Sequence, residues 1–281
     1  MIKTKPIHNP RLLIVMLLCL TPLFACVAPP LGTPPPTATV APPPPDPTAT
    51  PEPPDTGWQI LPNGIEVRGI SVSAEVGVEH LTVVRLTPQQ FSFHVTYTPG
   101  SAQLISEWAR QTQAQVVING GYFTEELLTT GLIVSQGQHY GSSYGDFAGM
   151  LAVTDGAVSL RWLREWPYDP NEALQEALQS FPVLVKPGGV MGFPADADDG
   201  RIARRSVIAK DRQGRLLFIS APRGYLSLHA LAVWLADSDL EIDIALNLDG
   251  GTSTGLWVAG DLPAAQIDSF TAVPSVITVG P

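Results

Sequence analysis

Ile244-Ala245-Leu246-Asn247-Leu248-Asp249-Gly250-Gly251-Thr252-Ser253-Thr254 is the stretch on which the reading of the fold turns. It begins as a short apolar strand and ends in a carboxylate, a Gly-Gly turn and three successive hydroxyls. Backbone N–H groups and Ser/Thr side chains in such a turn can cradle an anion beside Asp249. No Gly-Lys-Ser/Thr follows, so it is not a phosphate-binding loop of the nucleotide-hydrolase type. Nor is it a Gly-x-Ser-x-Gly nucleophile elbow, and none of the five histidines sits in an evident triad context.

An earlier segment has the same character. Val116-Val117-Ile118 runs straight into Asn119-Gly120-Gly121-Tyr122-Phe123, where paired glycines permit positive φ or close approach of the backbone to a ligand, and Asn119 offers a donor and an acceptor. A tight turn reads the same residues equally well. Between the two lies Arg201-Ile202-Ala203-Arg204-Arg205-Ser206-Val207-Ile208-Ala209, then Asp211-Arg212-Gln213-Gly214-Arg215 as a hairpin turn into Leu216-Leu217-Phe218-Ile219. One arginine at a strand entry is an ordinary solvated charge. Three in an acidic chain point to an anion site, and the arginine fork suits phosphate.

Around these segments the pattern is of short strands with few helices. Strands are expected at 64–72, 79–87, 91–98, 115–119, 131–135, 150–154, 157–162, 182–186, 205–210, 215–220, 242–247, 255–259 and 275–279. Helical periodicity falls at 103–113, around Leu104, Ile105 and Trp108, at 171–179, and at 227–236, with Leu228, Leu231, Ala232 and Leu235 on one face. Helix and strand do not alternate strictly. The expected class is α+β, with mixed β-sheets and a few packed helices, rather than a doubly wound sheet.

The N-terminus reads as a leader. Lys3, Lys5 and Arg11 precede the apolar run Leu12–Leu20, too short to span a bilayer comfortably. The run closes on Leu23-Phe24-Ala25-Cys26, which resembles a bacterial lipobox with Cys26 as the lipidated residue. The alternatives are an ordinary signal peptide cut near Ala25 or Ala28, releasing a secreted protein, and an uncleaved anchor. Residues 27–56 carry thirteen prolines between Pro29 and Pro54 and read as a disordered, extended linker, with a ligand for a proline-recognising domain as the other reading. That leaves 57–281 as one folded domain.

Both cysteines, Cys19 and Cys26, lie outside that domain, which therefore has no disulfide, thiol nucleophile or cysteine metal site. Without the three basic residues of the leader, the formal net charge of −10 becomes −13. Such a balance argues against a nucleic-acid or anionic-membrane binder.

Taken together, Val-Ile-Asn-Gly-Gly-Tyr-Phe at 117–123, Gly-Leu-Ile-Val-Ser-Gln-Gly at 131–137, Arg-Ser-Val-Ile-Ala at 205–209 and Leu-Asn-Leu-Asp-Gly-Gly-Thr-Ser-Thr at 246–254 resemble the phosphodiester glycosidase family, in the same order over roughly 65–281. The chain departs from the usual continuation of Asp-Gly-Gly at Thr252-Ser253, and matches only loosely over 138–200. The resemblance implies hydrolysis of the bond between an anomeric carbon and a phosphodiester oxygen, without a cofactor. Arg205, with Arg204 or Arg201, would hold the phosphate. Asp249 would be the catalytic carboxylate, with Glu125 as candidate for a second. Asn119, Gly120, Gly121, Gly250, Gly251, Ser253 and Thr254 would bind sugar hydroxyls or phosphate oxygens. Two other classes fit the residues: a non-catalytic envelope lipoprotein binding glycans or phosphoglycans, and a metal-dependent phosphodiesterase with Asp249 and acids such as Asp146, Asp243 or Asp268 as ligands.

Overall fold

The computed structural model describes residues 54–281. The leader, Cys26 and residues 27–53 of the linker lie outside the described residues. In chain order the first strands are β1 (Gln59–Ile60), β2 (Glu66–Ala74), β3 (Gly77–Leu86), β4 (Ser92–Tyr97), β5 (Val116–Asn119), β6 (Ile133–Ser135), β7 (Gln138–Tyr140), β8 (Gly149–Thr154) and β9 (Ala157–Trp162). They are followed by β10 (Glu176–Ser180), β11 (Val183–Lys186), β12 (Val190–Met191), β13 (Ala203–Asp211), β14 (Leu216–Leu226), β15 (Ile242–Asn247), β16 (Leu256–Val258), β17 (Gln266–Ile267) and β18 (Ser275–Gly280). The helices are α1 (Ile105–Thr112) and α2 (Leu228–Asp237).

The largest sheet has the order β1-β2-β3-β14-β13-β15-β11-β12, and β7-β6-β10-β8-β9 and β17-β16-β5-β18-β4 make two five-stranded sheets. Among the described residues every strand pairing is antiparallel, which corrects the expectation of mixed sheets and leaves an α+β fold dominated by β-structure. The cause is local. Gln136-Gly137 and Asp155-Gly156 both hold positive φ, the geometry of two-residue hairpins, and so short a link joins only antiparallel neighbours.

Layering follows from alternation along the central strands. On β14, Leu216 and Phe218 enter one core cluster while Leu217, Ile219 and Ala221 enter another, so the strand is covered on both faces. One side is closed by α2 through Leu231, Ala232 and Leu235. The other packs on both smaller sheets through residues such as Leu151, Leu178, Ile118 and Ile277. Helix α1 covers the far face of β5 and β18, with Trp108 fully buried and its indole N–H donated to the Val273 carbonyl at 2.9 Å.

The helix expected at 171–179 does not form; its second half is β10, the middle strand of its sheet. Helix propensity separates these residue types by at most about 0.7 kcal/mol each, whereas burying one leucine yields about 1.5–3 kcal/mol. As a strand the segment sends Leu178 into one core and Ala177 into another. Its polar residues are satisfied too: Glu176 accepts from the Val95 and Gln136 N–H groups at 3.1 and 3.2 Å, and Gln179 accepts from the Tyr144 N–H at 2.9 Å.

Contacts with the sheet include residues before 57. Pro54 O accepts from Ser71 N at 2.6 Å, and Asp55 pairs with Arg68, so the last linker residues dock along β2.

Candidate active site

The ends of β5 and β15 and the start of β13 meet at one corner, and Asn119 joins them. Its side chain is fully buried. The amide nitrogen donates to the carbonyls of Asp249 (2.8 Å) and Gly120 (3.3 Å), while its oxygen accepts from Ser206 Oγ (2.6 Å) and Gly255 N (3.1 Å). All of its hydrogen-bonding capacity is spent inside the protein, so Asn119 positions the three motifs and does not face a ligand. The same corner is stitched by Asp249 N to Gly120 O (3.1 Å) and Leu248 N to Ser206 O (2.8 Å).

The first glycine pair serves approach rather than positive φ. A Cβ on Gly120 would lie 2.3 Å from Ser275 Oγ, and one on Gly121 would lie 3.0 Å from Gln179 O. What comes close is the protein's own backbone; the Gly120 N–H is already given to Ser275 O at 2.9 Å. In the second pair, a Cβ on Gly250 would meet Arg204 O at 2.9 Å, and Gly251 alone takes positive φ, 61°.

Asp249 sits half-buried at the head of this turn. Burial pushes its carboxyl up from the ordinary aspartate value, opposed by hydrogen bonds from the Ser253 hydroxyl and the Gly250 N–H, the latter at 2.8 Å. Ser253 thus serves the carboxylate. Thr254 is fully buried, and its hydroxyl has no hydrogen-bond partner among the described residues, which does not fit the expected contact with ligand.

The structure divides the arginines. Arg204 and Arg205 are successive residues of β13, where the register with β14 shifts between Ala203 and Arg205, and their side chains meet different partners. Arg204 donates to Asp268 O at 3.0 Å and stacks 4.0 Å from the centroid of the exposed Phe270 ring. Arg205 donates through Nη2 to Arg201 O (2.6 Å) and through Nε to Leu226 O (3.5 Å). A side chain at 250 would come within 3.9 Å of Arg205 Nη1, so the guanidinium lies along the Asp249–Gly250 turn. Nη1 has no protein acceptor among the described residues. Burial pulls Arg205 down from the ordinary arginine value, against the Tyr122 phenol and the Asp198 and Asp199 carboxylates. The expected convergence of Arg204 and Arg205 on one point is therefore corrected: their guanidinium groups meet different partners, and Arg201 contributes a carbonyl to Arg205.

An aromatic wall flanks the turn. Tyr122 lies 4.7 Å from Phe181 between centroids, and Phe181 lies 5.0 Å from Tyr144 and 5.6 Å from Phe147. The Tyr122 hydroxyl accepts from Asn247 Nδ2 (2.8 Å) and donates to Phe181 O (3.0 Å). Burial raises the Tyr122 pKa, the Asp249 charge raises it further, and Arg205 opposes both, which puts the phenol within electrostatic reach of both groups. Tyr122 and Asn247 lie within the sequence motifs, but nothing in the sequence marks a role for them. Their signal was position alone, each closing a motif strand; Tyr144 and Phe181 gave none.

Other candidates are elsewhere. Glu125 is exposed on the 124–128 turn, and no contact joins it to Asp249 among the described residues. Asp146 pairs with Arg164, Asp243 with Lys210, and Asp268 accepts from the N–H and hydroxyl of Ser106 in the first turn of α1, so these acids do not assemble around Asp249.

An antiparallel β-rich domain with a half-buried carboxylate, an arginine and stacked aromatics at its strand ends has the equipment of a hydrolase for anionic glycosides. Residues 112–280 match the family model described as phosphodiester glycosidase, and the chain belongs to that family. Among solved structures it is similar to the zebrafish N-acetylglucosamine-1-phosphodiester α-N-acetylglucosaminidase catalytic domain auto-inhibited by its pro-peptide, with a TM-score of 0.61 and 18% identity over 77% of this chain and 83% of that one. A hypothetical protein from Synechocystis gives a TM-score of 0.51 and 19% identity over 76% of this chain and 62% of its own. Both likenesses concern the fold. No curated protein matches the chain.

Proposed function

We propose that the protein hydrolyses the sugar C1–O bond of a sugar 1-phosphodiester, outside the cytoplasm, on a domain tethered by a lipid on Cys26. The observation that carries the activity is the convergence on Tyr122 of the Asp249 carboxylate and the Arg205 guanidinium, whose Nη1 lies beside Gly250. A phosphate leaving group is already anionic and needs little protonation, so a cation beside its oxygens replaces much of a general acid. Arg205 Nη1 supplies that cation. Asp249 supplies negative charge to the oxocarbenium-like carbon, or attacks it, and burial makes it a better base than an exposed aspartate. The wall of Tyr122, Phe181 and Tyr144 offers a stacking surface for the sugar ring.

The test is turnover of a panel of sugar 1-phosphodiesters by wild type and Asp249→Asn. Asp249→Asn is expected to lose about a hundredfold or more in kcat with the fold retained. Unchanged kcat in a folded variant would remove Asp249 from the chemistry. Saturable binding of the panel by wild type without product would replace the enzyme with a glycan-binding protein.

A further inference from the structure

Phe147, Trp162, Arg164, Pro182, Lys186 and Gly192 line a hollow of about 190 Å3 that none of the motif residues enters. Arg164 and Lys186 stand 5.2 and 5.3 Å from the centroid of one indole, Trp162. In a chain of net charge −10, two cations thus converge on one aromatic ring. Lys186 makes no ion pair among the described residues, whereas Lys210, the other lysine there, is held by Asp243 at 3.0 Å. Arg164 does have a partner, Asp146 at 3.1 Å, but their side chains are 58% and 66% exposed. Such a pair contributes about 0–1 kcal/mol, so a phosphate can displace it. The hollow also continues the candidate site: its Phe147 lies 5.6 Å from Phe181, whose ring stacks on Tyr122, and its Pro182 follows Phe181 in the chain.

We propose that this hollow is a second anion subsite, which holds a further phosphate beyond the sugar-stacking wall in a substrate made of repeated phosphodiester units. The inference rests on the proposed glycosidase reading for its place along the substrate; the capacity of the hollow for a phosphate stands apart from it. The substrate class thereby narrows to polyanionic phosphoglycans. Arg164 and Lys186 grip the second phosphate, while Trp162 and Phe147 cover the intervening sugar or alcohol.

The experiment uses the full chain as wild type, Lys186→Ala and Arg164→Ala/Lys186→Ala. Michaelis constants are measured for a methyl-capped sugar 1-phosphodiester and for its two-repeat oligomer, and tripolyphosphate binding is followed by calorimetry. The double variant is expected to raise KM for the oligomer about five- to tenfold, to leave KM for the single unit unchanged, and to weaken tripolyphosphate binding by a similar factor. Equal effects on oligomer and single unit, or none on either, with tripolyphosphate binding unaltered, would overturn the subsite while leaving the glycosidase standing. Tripolyphosphate binding that depends on Lys186 in a protein that turns over neither substrate would keep the subsite and sink the glycosidase. If wild type binds tripolyphosphate only through Arg205, shown by its loss in Arg205→Ala alone, the subsite is also overturned.

Discussion

Replacing Asn119 by aspartate changes one atom's chemistry and almost no volume, at a site where every hydrogen bond is accounted for. The two bonds from its amide nitrogen, to Asp249 O and Gly120 O, become contacts between oxygens. Each lost bond is worth about 1 kcal/mol net, and an ionised carboxylate at a fully buried position adds a desolvation penalty, so the variant should lose about 2–4 kcal/mol at pH 7.5. Burial lifts the folded-state pKa of the new carboxyl above its unfolded value of about 3.9. The native state then holds the extra proton across that interval, and stability falls as pH rises through it. At pH 4.5 the protonated group donates to one of the two carbonyls, and the deficit should shrink to about 1 kcal/mol. Urea unfolding at the two pH values, with the m-value checked for constancy, reads this directly. Because Asn119 also fixes the Asp249 carbonyl, kcat should fall even where the variant is folded. A deficit below about 0.5 kcal/mol at pH 7.5, or the same deficit at both, would refute the central role given to this side chain.

The two arginines should separate cleanly. Arg205→Lys, which loses the fork beside Gly250, is expected to lower kcat/KM about tenfold or more, whereas Arg204→Lys should lower the unfolding midpoint and leave KM within about twofold. Glu125→Gln should leave both kinetics and stability unchanged, because its side chain is exposed. The acidic limb of the kcat/KM profile should have its midpoint above 3.8, the ordinary aspartate value, since Asp249 works ionised and burial raises its pKa. The same raised pKa makes ionised Asp249 a stability burden above that value, so Asp249→Asn should be at least as stable as wild type at pH 7 by thermal unfolding, with the gain vanishing below pH 4 or so.

Much of the fold was legible because the strand signals were local. The hairpin at 211–215, the strands at 150–154 and 157–162 and both helices fall within a residue or two of the pattern. What escaped depended on partners far along the chain. Glu176 and Gln179 look like helix surface until Val95, Gln136 and Tyr144 are brought to them, and only then does β10 become a central strand. The site shows the same division. Asp249 and the Gly-Gly turns stood out by composition, but Arg204 and Arg205 could be told apart only by the partners that distant segments bring to each, Asp268 and Phe270 to one and Leu226 to the other. Tyr144 and Phe181 join the wall through sheet pairing between segments separated by dozens of residues, which no window along the chain records.

The most direct test of the glycosidase account is hydrolysis of a sugar 1-phosphodiester in oxygen-18 water, with both products read by mass spectrometry. Label on the anomeric hydroxyl of the released sugar, and none on the phosphomonoester, is the predicted result of C1–O cleavage. Label on the phosphate would mean attack at phosphorus, and would contradict the assignment of Asp249 and Arg205 to a glycosidic transition state.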